Sequence, residues 1–214
     1  MPEQLLDVKD LYVNYKIYEG LLKVLNGVSL SVDIKEKVGI IGESGCGKTT
    51  TMKAMMRILA ANAIVAGGAA SYRGANLLQL GRQELTRLRR TSISMIFQDP
   101  TAALNPVFKI GEQLTDIVRH SGTSGESLTD KEVKARAVEV LKSAALPEPA
   151  RIMDSYPFQL SGGMRQRVCI AMSLVSAKDL LIADEPGTSL DVTIEDQIMR
   201  LLKQIVEERG LSVF

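Results

Sequence analysis

The sequence predicts an α/β protein with a mixed β-sheet, an N-terminal antiparallel β-subdomain and an inserted α-helical subdomain. The first third alternates short apolar stretches in period two, and compact runs apolar on both faces alternate with helical stretches. From about residue 100 to 160 the apolar spacing turns helical.

Leu6, Val8, Leu11 and Val13, then Val24, Val28, Leu30 and Val32, read as antiparallel strands with one wet face, broken by turn signals at Glu19–Gly20 and Asn26–Gly27. Lys37–Gly42 reads as a buried parallel strand, followed by a glycine-rich loop and a helix from about Thr49 to Leu59. A glycine-rich turn at Gly67 to Gly74 and a basic helical piece near Arg82 to Arg90 precede a strand at Ser92–Phe97. Thr129 with Glu132 is a capping-box signature, and Val133, Ala137, Val140, Leu141 and Ala144 share the helix face behind it, up to Pro147 and Pro149. A helix from Gly163 to about Ser176, a buried strand Leu180–Asp184 and a helix near Thr193 to Arg209 complete the pattern. Gly210 reads as a helix C-cap, and Leu211–Phe214 as the first half of a strand, so the chain is expected to be a fragment of a longer protein.

The composition sets outer limits. The 214 residues are 45% hydrophobic and 24% charged, with 26 basic against 25 acidic side chains, which suits a globular protein with a sizeable core. A strongly basic nucleic-acid binder is excluded. Arg82, Arg87, Arg89 and Arg90 read as a solvated helix face, diluted by Glu84 and without interleaved aromatics. Cys46 and Cys169 are too few for a disulfide framework and imply a reducing, intracellular setting. MPEQLLDVKD shows no signal or transit pattern, and the longest charge-free stretch, Ile58 to Tyr72, is shorter than the roughly 20 apolar residues a membrane helix needs.

Chemistry enters with Gly42-Glu43-Ser44-Gly45-Cys46-Gly47-Lys48-Thr49, which matches G-x-x-x-x-G-K-[ST] between an expected strand and an expected helix. Glycines let successive backbone N–H groups turn toward a polyphosphate, and the helix N-terminus adds positive potential. Lys48 would reach the β- and γ-phosphates and Thr49 would set its hydroxyl on Mg²⁺; Thr50 continues the binding segment. Leu180–Asp184 then delivers a carboxylate at the end of a buried strand. Asp184 suits the shell of hard Mg²⁺, directly or through water. Glu185 could polarise the attacking water as general base. Ser161-Gly162-Gly163 before a helix offers an N-cap and an anion site.

Together these motifs make the chain resemble the nucleotide-binding subunit of an ATP-binding-cassette (ABC) transporter, a P-loop NTPase core. Leu160-Ser-Gly-Gly-Met-Arg-Gln-Arg167 resembles the family signature, Gln98 the Q-loop and Ser189-Leu190-Asp191 the D-loop. Gln98–Pro106 and Tyr156–Gly163 further resemble the oligopeptide and dipeptide branch, which includes nickel importers. The resemblance implies residues 1–99 and 178–214 as the ATP-binding core with its β-subdomain, and 100–177 as the helical subdomain. It implies ATP and Mg²⁺ as ligands and a head-to-tail dimer with a second ATP-binding subunit. Ser161, Gly162 and Gly163 would contact the nucleotide held by the partner's phosphate loop, and Asp191 would link the two sites. Gln98 would touch metal or attacking water, and Tyr15 would stack on adenine, with Tyr12 and Tyr18 in reserve. Two membrane permeases and, indirectly, a solute-binding protein would be partners, and the subunit would sit peripherally on the cytoplasmic face of the membrane. No nucleic acid is expected.

Several positions depart from the pattern. Gly187 stands where Thr is common, Ser189 replaces a usual Ala, and Lys35-Glu36 replaces a Gly-Glu turn. The switch histidine that the family carries after its last strand has no counterpart, since His120, the only histidine, reads as a surface helix-end residue. Two cysteines cannot hold a cluster that needs about four thiolates. Cys169 reads as packing. Peptide-import ATPase is therefore the leading expectation, with a nucleotide-binding fragment of low hydrolysis, or a non-transport ABC ATPase, as alternatives.

Overall fold

The computed structural model describes residues 3–121, 128–188 and 190–214; Ser189 lies outside them. The chain divides into two compact units, Met1–Thr86 with Ser212–Phe214, and Arg87–Leu211. The α/β class holds, with antiparallel pairing in the first unit and parallel pairing in the second.

In the first unit, β1 (Gln4–Ile17) turns at Tyr18–Glu19 into β2 (Gly20–Asp33). Its other edge pairs antiparallel with β3 (Ala63–Tyr72), which β4 (Ala75–Asn76) extends, giving the order β2-β1-β3-β4. Leu6 and Val8, then Leu11 and Val13, are buried in steps of two, and a register irregularity between Val8 and Leu11 keeps both pairs on the buried face.

Two glycine features depart from the expectation. Asn26–Gly27 makes no turn: Val28 pairs with Leu11 and Asn26 with Tyr12, so Gly27, at φ +76°, is the extra residue of a β-bulge. The bulge flips the side-chain phase, so Leu25 and Val32 are buried while Val24, Val28 and Leu30 are half-exposed. Gly67 and Gly68 likewise lie within β3. Gly68 sits at φ +93°, where a Cβ would stand 2.2 Å from the Asp10 carbonyl oxygen. Only a glycine permits that approach, and it marks a second bulge rather than the end of a strand. The turn falls later, at Arg73–Gly74, both with positive φ as a two-residue hairpin demands.

Lys37–Gly42 does not form the expected buried strand. Lys37 makes one parallel bridge to Val213, in β7 (Ser212–Val213), and Val38 N–H donates to the Val213 carbonyl at 2.9 Å. Beyond that the segment leaves the ladder, with Ile40 37% and Ile41 100% exposed. A strand exists by its neighbours, and among the described residues of this unit the pairing reaches only Val38. Just before it, Lys35 holds φ +62°, the left-handed position for which the family's glycine is suited. Its N–H donates to Ser212 Oγ at 2.7 Å. α1 (Lys48–Met55) is shorter than expected because Arg57, at φ +50°, ends it. α2 (Arg82–Thr91) leads out of the first unit.

In the second unit, β5 (Ile93–Ile96) runs parallel to β6 (Leu180–Ala183), from Ile93 opposite Leu180 to Ile96 opposite Ala183. Between them lie α3 (Pro100–Ala103), α4 (Ile110–His120), α5 (Asp130–Ser143), α6 (Pro149–Met153), a 3₁₀ turn at Pro157–Gln159 and α7 (Gly162–Ser176). The predicted capping box forms, with Thr129 N–H donating to Glu132 Oε2 at 2.7 Å. The predicted face of α5 is buried from Val133 to Ala144, packed in one cluster with Leu114, Ile152 and Val168. α8 (Val192–Arg209) ends at Gly210 in the left-handed conformation expected of a C-cap. Among the described residues, no helix is long and apolar enough to cross a membrane.

Candidate functional site

The phosphate loop belongs to the first unit. Two of its glycines stand close to side chains: a Cβ on Gly42 would lie 2.7 Å from Cys46 Sγ, and one on Gly47 would lie 2.8 Å from Leu25 Cδ2. Gly45 and Gly47 take φ +84° and +103°, left-handed positions that suit glycine, and Gly47 is the N-cap of α1. Lys48 folds its side chain back across the loop, where Nζ donates to the carbonyls of Gly42 at 2.7 Å and Glu43 at 3.0 Å. An ammonium held over a glycine-rich turn at a helix start is the arrangement that receives a polyphosphate. Glu43, Ser44 and Cys46 are exposed, and Thr49 and Thr50 are half-buried. Thr51 is committed elsewhere, its hydroxyl donating to the Gly47 carbonyl at 3.0 Å.

Tyr15 lies half-buried on β1, opposite Leu22 and Ala63. Tyr12 has a structural task, since its ring covers Gly27 on one neighbouring strand and Gly67 on the other. Tyr18 stands fully in solvent at the hairpin tip.

In the second unit, β6 delivers Asp184, 1% exposed, its N–H donating to the Ile96 carbonyl at 3.0 Å. Glu185 follows at φ +43°, a strained position for a side-chain-bearing residue. Its Oε2 accepts from Gln98 Nε2, just past β5, at 2.9 Å. The parallel pair β5/β6 thus aims the Q-loop side chain at the expected base. Thr188 Oγ1 donates to the same oxygen at 3.2 Å, a contact no spacing rule in the sequence reveals. Among the described residues no three His, Cys, Asp or Glu side chains gather as a metal cage. The buried Asp184 carboxylate is an oxygen donor of the kind that suits Mg²⁺, which binds through one or two carboxylates together with substrate phosphates and water.

Ser161 caps α7 as expected, its Oγ accepting from Met164 N–H at 3.3 Å. Gly162 and Gly163 also serve packing: Cβ atoms there would meet Leu190 Cδ2 at 3.4 Å and Ile194 Cγ2 at 2.8 Å. The signature turn and the segment around Asp191, the N-cap of α8, are therefore fitted to each other. Arg167 clamps this arrangement, donating to the Ala145 carbonyl at 3.0 Å and Gln197 Oε1 at 3.2 Å. His120 ends α4 in solvent, its Nδ1 2.8 Å from the Asp116 carbonyl oxygen.

The sequence pattern that describes the ABC transporter matches residues 25–188, from β2 to the turn after Glu185. The chain belongs to the ABC transporter family. This ABC cassette is 46% identical over 210 residues to the oligopeptide transport ATP-binding protein OppD of Haemophilus influenzae, covering 98% of this chain and 63% of that protein. It is 39% identical to the probable D,D-dipeptide transport ATP-binding protein DdpD of Escherichia coli K12, covering all of this chain and 64% of the relative. The cassette thus spans about three-fifths of the length of these relatives. Among solved structures it resembles a dimeric ATP-binding cassette in a post-hydrolysis state bound to ADP and Pi, with 30% identity and a TM-score of 0.84 over 98% of this chain and 86% of that one.

Proposed function

We propose that this chain is the ATP-binding, ATP-hydrolysing subunit of a transporter that imports peptides or a related small solute. The observation that carries hydrolysis is the carboxylate pair closing β6, with Asp184 buried and Glu185 held by Gln98. The relatives' names support the peptide class, and the neighbour bound to ADP and Pi supports the nucleotide.

In this reading Lys48 leaves the loop carbonyls for the β- and γ-phosphates, while the amides from Gly42 to Thr50 cradle the polyphosphate. Thr49 and Asp184 would hold Mg²⁺, joined by Gln98, and the ion would neutralise charge on the transferred phosphoryl group. Glu185 takes a proton from water as the water oxygen bonds to the γ-phosphorus and the bond to the bridging oxygen breaks, leaving ADP and phosphate. Tyr15 stacks on adenine. Ser161, Gly162 and Gly163 act on the nucleotide of a second ATP-binding subunit, and Asp191 links the two sites. We assign residues 1–99 and 178–214 to the ATP-binding core and 100–177 to the helical subdomain. Two permeases and a solute-binding protein complete the assembly, with this subunit on the inner face of the membrane.

Phosphate release and fluorescent ATP-analogue binding test the reading. Lys48→Ala should lose nucleotide affinity, and Glu185→Gln should bind normally while turnover falls by roughly 100-fold or more. Full turnover in Glu185→Gln would remove Glu185 as the base, and unchanged affinity in Lys48→Ala would remove the phosphate site.

A further inference from the structure

The segment after the acidic pair closes as a tight turn. Thr188 N–H donates to the Glu185 carbonyl at 3.3 Å, so Glu185, Pro186, Gly187 and Thr188 form a four-residue turn whose first residue sits at φ +43°. A side-chain bond runs beside the backbone one, from Thr188 Oγ1 to Glu185 Oε2 at 3.2 Å. That oxygen also accepts from Gln98 at 2.9 Å. Two donors from different elements converge on one carboxylate oxygen.

One hydrogen bond leaves a glutamate free to pivot about it, because the side chain has several rotatable bonds. A second bond to the same oxygen, from another direction, restricts that pivot. Thr188 is suited to supply it: a β-branched side chain has few χ1 choices, and its backbone is tied to that of Glu185 by the turn. The turn is itself seated, since Gly187 is buried and a Cβ there would lie 2.5 Å from Glu195 Cγ.

We propose that Thr188 is a positioning residue for ATP hydrolysis, locking with Gln98 the Glu185 carboxylate in the orientation from which it takes the water proton. This rests on the reading of Glu185 as the base. Thr188 acts through Glu185 and not through the phosphate loop, so its loss falls on kcat and spares nucleotide affinity.

ATPase kinetics on the full chain test it, with binding of a fluorescent ATP analogue as the check on folding. Thr188→Val should lower kcat about ten-fold with KM for ATP changed less than about two-fold, the scale expected for one hydrogen bond to a charged group. Thr188→Ser, which keeps the hydroxyl, should restore most of the rate. In a Glu185→Gln background, Thr188→Val should cost nothing further. A wild-type kcat in Thr188→Val, equal impairment in Thr188→Ser, or a loss confined to KM would overturn the proposal. The two layers separate cleanly: wild-type turnover in Glu185→Gln sinks the base assignment, whereas an inactive Glu185→Gln beside a fully active Thr188→Val sinks only the role of Thr188.

Discussion

Cys46 and Cys169 carry the same side chain into opposite chemistries. Cys46 stands exposed in the phosphate loop, while Cys169 is buried on α7 with its thiol 3.9 Å from the Pro100 carbonyl. Burial, reinforced by the negative charge of Asp99, pushes the Cys169 thiol up to about 12. A raised pKa keeps the thiol protonated and unreactive throughout the physiological range, since the thiolate is the nucleophile. Maleimide labelling of the native chain at pH 7–8, followed by peptide mass spectrometry, should modify Cys46 and leave Cys169 untouched until denaturant is added. Rapid native labelling of Cys169 would contradict its burial. The inertness of Cys169 was legible because its neighbours in sequence are apolar at helical spacing. The Thr188–Glu185 bond was not, since a threonine in a turn looks alike in sequence whether it faces solvent or a carboxylate.

The elements differ in how openly the sequence announces them. Capped, amphipathic α5 and the glycine-ended α8 were readable from local chemistry alone, because their signals lie within a few residues. β3 was obscured by Gly67 and Gly68, whose role is set by partners on β1 more than fifty residues away. Lys37–Gly42 failed for the converse reason: its residues suit a buried strand, yet strand formation depends on pairing that no local pattern encodes. The turn after β6 shows a departure with a physical counterpart. Gly187 lacks a positive φ, so its backbone tolerates a side chain, but Glu195 fills the space. Gly187→Thr should therefore destabilise by roughly 1–3 kcal/mol through overpacking. Glu195→Ala should recover at least half of that loss in a double-mutant cycle followed by denaturant unfolding. Strictly additive costs would show that the two positions do not compete for volume.

At the scale of the molecule, the proposed binding of Mg·ATP has a thermodynamic readout. A ligand that binds only the folded state stabilises it by mass action, about 2.7 kcal/mol at one hundred times its Kd. For a chain of this size that corresponds to a rise in Tm of roughly 5–10 °C. Adding EDTA should remove part of the rise by stripping Mg²⁺ while ATP remains. In Asp184→Asn the EDTA-sensitive part should vanish and the metal-independent part persist. An unchanged EDTA response in that variant would move the metal away from Asp184.

The run Val38-Gly39-Ile40-Ile41 sets a term of a different kind. Two β-branched apolar side chains stand in solvent beside a single bridged residue, without an intervening charge or proline. Such a run invites strand addition from another copy of the chain. Ile41→Lys should therefore reduce self-association of the concentrated protein, as read by light scattering, and unchanged scattering would show that this run is not a contact between copies.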